Sequence, residues 1–471
     1  MNVRTSPADR LMALASSLVL AATFGCSNAV SPSAATGTAT GAVATVPVLI
    51  TDAPSDQLVS FSLTLNSITL TDSAGKTAGI LSTPTTVEIT HLNGIQAPLV
   101  TASIPEDTYT SAVITFSNPE ITYINSSGAA VVASPVLATT SYTFTFPTAF
   151  TVSNTSTSLL VDLLAAQSVS ISGTTVTVTP TFSLKPVPPA TAAPPASQNG
   201  TGMQQMGTVV SVSGTTLVIE PGSGPDITLT TNSATVLQGF SSLSALTAGS
   251  LVQVDFIVES GGVYLATRIQ LAPVPPNAVQ VNLLTGPVIS VGSGSFKMAL
   301  MQGAGPSVSP TATGQIVTVT TSGSTAYAIT PQFVTLTGLP FTPTFTASNL
   351  VAGQAVGVVA SAFSASAGTA TAATVYLVPQ TVDGTVTAIA TVGNYTAYTF
   401  TLASGSAFTS LSGASTITVY TSAATAPPPG VTAPPAIAVG STIRFNGLIF
   451  NLGGGSFAMV AGCSPDAAPG I

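Results

Sequence analysis

The chain is 471 residues long, more than one core can organise, and at about 100 to 200 residues per domain it suits two to four domains. Charged residues make up 5% of it, against about 25% in an ordinary soluble domain, and Trp is absent, so Thr and Ser must supply most of the polar surface. A formal net charge of −8, with Lys76, Lys185, Arg268, Lys297 and Arg444 scattered singly, excludes a basic nucleic-acid surface. With only Cys26 and Cys463, a disulfide framework and a thiolate zinc site are excluded too.

The chain opens as an export signal. Arg4 and Arg10 precede the apolar stretch 11–24, LMALASSLVLAATF, which ends in Gly25-Cys26. A permanent span needs about 20 apolar residues, and polar Ser27, Asn28 and Ser31 arrive too early for one. Residues 1–25 therefore read as a signal peptide. The Gly25-Cys26 junction resembles the lipobox of bacterial lipoproteins, which implies lipidation of Cys26 and a membrane partner held through acyl chains. Thr23 and Phe24 depart from that motif, and ordinary cleavage nearby would release a freely secreted protein instead. Residues 26–45 are small and polar and suit a flexible tether.

From residue 46 short alternating runs begin. Val59, Phe61, Leu63 and Leu65 keep period two, and Ile68 and Leu70 resume on the other parity, which predicts a bulge near Asn66-Ser67. Similar runs at 87–89, 112–116, 142–146, 159–163 and 176–178 predict a β-sandwich over 46–185, Ig-like or transthyretin-like. A Pro-rich linker, 186–206, follows. Beyond it the chain repeats. Gly207-Thr-Val-Val, Gly286-Pro-Val-Ile and Gly384-Thr-Val-Thr each open a unit, and a Gly-led strand recurs in LTAGSLVQVDF (246–256), LVAGQAVGVVA (350–360) and IAVGSTIRFNG (437–447). An ungapped match of 286–300 with 447–461 makes opening and closing hairpins look alike. These signals predict three small antiparallel β-barrel or sandwich modules, 207–273, 278–379 and 380–463, joined by Pro-rich linkers, with a tail at 464–471. The fold class is all-β.

The run VPVLITDAPSDQ, the strand SLTLNSITLTD and the segment SIPEDTYTSAVITF, with Pro105, Tyr109 and Val113 at fixed spacing, resemble the N-terminal domain of bacterial lipoproteins in domain-of-unknown-function family 4382. The later Gly-opened units resemble the β modules of family 5666. The resemblance implies an envelope-located β protein and carries no catalytic residues over.

Candidate chemistry is sparse. His91, the one histidine, follows a strand end and reads as a surface or turn residue rather than a catalytic base, and no G-x-S-x-G elbow occurs. Gly75-Lys76-Thr77 lacks the preceding glycine of a phosphate loop and reads as a hairpin turn. Asp52 and Asp56 are candidate calcium ligands, with an Asx-type turn as the simpler reading of Asp52. Together with Glu106 they are also the carboxylates on which an alternative reading, a carbohydrate-active enzyme, would rest. Tyr109, Tyr123, Tyr142, Tyr395, Tyr398 and Tyr420 are the aromatic faces on offer to a sugar. With Cys26 lipidated, Cys463 has no intrachain partner and reads as a small buried residue or as a thiol available to another chain. The expectation is a non-enzymatic lipoprotein of the cell envelope without cofactors, acting as a spacer or as a binding surface for a cell-surface polymer or protein, with a secreted adhesion-type protein as the other alternative.

Overall fold

A computed structural model describes residues 42–53, 57–92, 96–125, 127–154, 158–189, 205–221, 226–272, 281–308, 314–329, 336–422, 437–461 and 466–467. Cys26, Asp56 and Cys463 lie outside them, as do the signal peptide, the tether to residue 41 and most of each Pro-rich segment.

The first domain is a sandwich of two sheets. Strands β1 (Val43–Ala53), β2 (Leu58–Asp72), β3 (Thr77–Leu81), β4 (Thr85–Glu88), β5 (Ala97–Pro105), β6 (Thr108–Ile124), β7 (Ala130–Ala133), β8 (Ser141–Thr151) and β9 (Ser158–Leu164) precede a one-turn helix, α1 (Ala165–Ser168). The hairpin β10 (Val169–Ser172) and β11 (Thr175–Val178) and the closing strand β12 (Phe182–Val187) follow. One sheet has the order β12-β9-β1-β5, with β1 and β9 parallel. The other runs β3-β2-β6-β7, with β4 beside β2 and β8 beside β6. The alternating residues of β2 fill the space between the sheets: Phe61, Leu63, Leu65, Ile68 and Leu70 are all fully buried. The change of parity between Leu65 and Ile68 is a bulge, a register shift against β6 between Leu65 and Ser67. Gly75 turns the β2–β3 hairpin with φ +82°. The Pro105-to-Tyr109 spacing also has a local cause. The Tyr109 hydroxyl donates to the Pro105 carbonyl at 2.9 Å and ties the β5–β6 corner shut. Burial, with Asp107 and Asp72 nearby, pushes the Tyr109 phenol up to about 12.

Three modules follow. The first has β13 (Gln205–Ser213), β14 (Thr216–Glu220), β15 (Ile227–Thr230), β16 (Val236–Gln238), β17 (Leu251–Val258) and β18 (Tyr264–Leu271). The second has β19 (Asn282–Gly292), β20 (Ser295–Ala299), β21 (Gln302–Ala304), β22 (Ile316–Thr320), β23 (Ala326–Ile329), β24 (Ala355–Ser364) and β25 (Thr369–Leu377). The third has β26 (Gln380–Val392), β27 (Tyr395–Leu402), helix α2 (Ala407–Ser412), β28 (Thr416–Ser422), β29 (Thr442–Gly453), β30 (Ser456–Ala461) and β31 (Asp466–Ala467).

Each module closes on itself through five strands in one order. The rings are β13-β14-β15-β18-β17, β19-β20-β22-β25-β24 and β26-β27-β28-β30-β29. The expected antiparallel barrel is corrected in one respect: β15–β18, β22–β25 and β28–β30 are parallel. Parity forces this, because a ring with an odd number of strands cannot alternate direction all the way round. The result is a small closed barrel of the type that OB domains build, an architecture that fixes no function by itself.

The two repeated sequence signatures now have a structural meaning. The Gly-opened segment is the first strand of each barrel, the Gly-led segment is the fourth, and the two pair with one another. At Gly207, Gly286 and Gly384 the first strand passes from the fourth strand to the second, and the second strand crosses closely. A Cβ at Gly286 would fall on the Ala299 carbonyl, and one at Gly384 on the Thr401 carbonyl. At Gly207 the nearest atom, the Glu220 carbonyl oxygen, is 3.0 Å away. Gly447 repeats the arrangement on the fourth strand of the third barrel, against the Val460 carbonyl, which explains why 286–300 and 447–461 read alike.

The domains are not beads separated by linkers. Leu49 and Leu160 of the sandwich pack into the core of the first barrel. Met206 and Leu251 share a cluster with Leu283, Val359 and Tyr376 of the second. Leu448, Phe450 and Val460 of the third barrel belong to the core of the second. The described residues accordingly form one compact unit.

Candidate functional site

The site begins with a carboxylate that the sequence reading passed over. Glu88, at the end of β4, is 2% exposed. It accepts the backbone N–H groups of Phe61 at 3.0 Å, Thr90 at 3.1 Å and His91 at 3.0 Å, together with the Thr90 hydroxyl. These bonds wind residues Thr90–Leu92 into a single 3-10 turn. His91 Nδ1 lies 2.9 Å from the second Glu88 oxygen. A carboxylate there holds the hydrogen on Nδ1 and leaves Nε2 as an acceptor. Among the described residues, Nε2 has no protein hydrogen-bond partner. His91, expected at the surface or in a turn, is in this turn, where it is half-buried rather than exposed and lines a cleft.

It faces a cleft of about 180 Å³ at the place where the sandwich and all three barrels meet. The sandwich contributes Leu58, Val59, Thr90 and His91; the first barrel contributes Met206 and Gln253. From the second come Thr285, Pro287, Met301, Gln302 and Tyr376, and from the third Gln380, Thr381, Ser406, Phe408, Leu411 and Asn446. No Asp, Glu, Lys or Arg is among the described lining residues. A smaller cavity of about 40 Å³ shares His91, Met301 and Gln302 with it.

The walls are fixed by hydrogen bonds between modules. Gln380 accepts the Ala355 N–H at 2.6 Å and donates to the Gly353 carbonyl at 3.0 Å, so its amide joins the third barrel to the second. Asn446 Nδ2 donates to the Thr381 hydroxyl at 3.0 Å. The Tyr376 ring lies over Gly357 on the paired strand, where any Cβ would collide with it, and burial holds the phenol far above its ordinary value. Helix α2, which carries Phe408 and Leu411, starts with Ser406 accepting the Thr409 N–H at 3.1 Å and stops at Gly413 with φ +73°.

The sequence-derived candidates lie elsewhere. Asp52 closes no exposed turn; it is inside β1, continues the inward parity of Val46, Val48 and Ile50, and is 4% exposed. Burial raises its carboxyl well above the usual range, with Asp162 and Glu88 adding to the rise and the Ala165 N–H and Arg444 opposing it. A carboxyl that burial biases against ionising is a poor calcium ligand, and no group of three or more His, Cys, Asp and Glu among the described residues could hold a metal ion. Glu106 sits in the β5–β6 turn, away from the cleft lining. Tyr109, Tyr123, Tyr395 and Tyr398 are buried, and Tyr142 and Tyr420 are half-buried, so none offers an open stacking face. No helix among the described residues is long and apolar enough to cross a membrane.

Asp52 gives a prediction with a definite sign. Its folded pKa lies above the unfolded value, so its stabilising effect is complete below the unfolded value, about 3.9, and is lost as pH rises through the raised folded value. Asp52→Asn should therefore melt at a higher temperature than the parent at pH 7, and the gap should close toward pH 4. Melting curves that stay parallel across that range would contradict the assignment.

Comparison with known families agrees with this architecture. Residues 43–186 match the family described as Domain of unknown function (DUF4382), and residues 206–270 match the one described as Domain of unknown function (DUF5666). No curated protein matches the chain. The sandwich is thus similar to DUF4382 domains and the first barrel to DUF5666 domains, followed by two further barrels of the same strand order.

Proposed function

We propose that the protein is an exported, non-enzymatic binding protein of the cell envelope, tethered through lipidated Cys26, and that its ligand enters the cleft between the four domains. The observation that carries the reading is the lining of that cleft, whose described residues come from all four domains and include no carboxylate or cation. Concave, mostly apolar sites at domain junctions with a few fixed polar groups are where small ligands bind. His91 and Tyr376 are the titratable groups among the described lining residues; His91 is engaged through Nδ1 by Glu88 and burial holds the Tyr376 phenol protonated, so neither is set up as an acid–base pair for an occupant. The tether rests on the charged start, the short apolar stretch and Gly25-Cys26.

Anything that binds the folded state must raise its melting temperature. Scanning soluble uncharged glycans and lipid fragments of bacterial envelopes should find at least one that does so, and Ala407→Trp, which fills the cleft from the α2 side, should remove the shift. A flat response across the panel would overturn the binding role in favour of a spacer. In cells given radiolabelled palmitate, the chain should carry label and Cys26→Ser should not.

A further inference from the structure

The lining of the cleft restricts what can occupy it. Its volume exceeds the roughly 150 Å³ hole known to admit benzene, so a bicyclic ring or a single sugar ring is the right scale. An ion entering would lose its water and meet no opposite charge among the described lining residues, a cost that uncharged molecules escape. Arg444, in the same barrel as Asn446, is bound to Asp383 through both Nε and Nη2 at 2.6 Å and is not among the lining residues.

One group on the wall asks for a specific partner. Glu88 fixes the His91 tautomer, so Nε2 presents an acceptor, and an occupant without a hydrogen to donate would displace water from it and replace nothing. The same lining is soft and apolar at Met206, Met301, Phe408 and Leu411, the kind of surface that adapts to a flat ring. We infer that the cleft takes an uncharged, hydroxyl-bearing molecule of one or two rings, its ring on the methionine and phenylalanine side and its hydroxyl donating to His91 Nε2. This rests on the reading of the cleft as the binding site.

Three matched probes separate the two ideas. 2-Naphthol carries the hydroxyl, naphthalene lacks it, and 2-naphthoate replaces it with a charge. Binding would be followed by fluorescence on the full chain carrying Cys26→Ser, which avoids detergent. 2-Naphthol should bind about fivefold more tightly than naphthalene, the worth of one hydrogen bond, and 2-naphthoate more weakly than either. His91→Leu should abolish the preference for 2-naphthol over naphthalene; His91→Gln, which keeps an acceptor, should retain part of the preference and guards against a folding defect in the first variant. Equal binding of 2-naphthoate, or a hydroxyl preference that survives His91→Leu, would overturn the inference about ligand class while leaving the site intact. If no probe binds, or if Ala407→Trp leaves binding unchanged, the site itself is wrong.

Discussion

Replacing Asp383 by Leu is expected to cost the folded chain about 4 kcal/mol, the scale for removing one partner of a buried ion pair. Asp383 of β26 and Arg444 of β29 face each other across the first and fourth strands of the third barrel, and their side chains are 7% and 10% exposed. Two parallel bonds of 2.6 Å satisfy the guanidinium fork. Without the carboxylate, the arginine would be held in the barrel wall with its main charge partner gone. The loss belongs to the orphaned charge rather than to the pair, so Asp383→Leu combined with Arg444→Met should recover most of it. Urea unfolding of the two single variants and the double reads this directly. A double variant as unstable as the worse single would show that the pair itself holds the barrel together. Arg268 and Asp255, 2.8 Å apart on β17 and β18 of the first barrel, are a second buried pair on which the cycle can be repeated.

Gly384→Ala should lower stability by about 3 kcal/mol, at the upper end for forcing one methyl group into a packed core. Its Cβ would occupy the position of the Thr401 carbonyl oxygen, a backbone atom already committed to the β26–β27 ladder, so relief requires the barrel to open where its first strand changes partners. Gly207→Ala is the internal control. The same bend in the first barrel leaves 3.0 Å to the nearest atom, and the expected loss there is about 1 kcal/mol. Equal midpoint shifts in urea for the two variants would show that the close crossing is not what selects glycine.

Much of this architecture is legible in the residues. The parity change in β2, the turn at Gly75 and the recurring glycines each follow from local rules, and each stands in the structure as a bulge, a hairpin and a bend. Small barrels were expected, but the strand order within each ring was not legible, because which strand meets which depends on geometry that period-two alternation does not encode; the parallel pairing follows only once the number of strands in the ring is known. Asp52 misled because a Thr-Asp-Ala-Pro string looks like a turn, whereas the inward parity of β1 carries its carboxyl into the sandwich. The cleft was invisible for another reason. Its wall combines residues from Leu58 to Asn446, and Glu88, which orients His91, sits in a run where Val87, Glu88 and Ile89 are all buried and no alternation marks it out.

The position of β1 also has a mechanical meaning. It is the first described strand after the N-terminal segment, and it lies inside its sheet, bonded on one side to β5 from Val43 to Ile50 and on the other to parallel β9 from Val48 to Ala53. A chain held at its N-terminus and pulled through a bound ligand would load β1 along its own axis. Both ladders would then be sheared at once, so that many hydrogen bonds must break together rather than peel one by one. An anchored protein built this way would yield to tension late and abruptly.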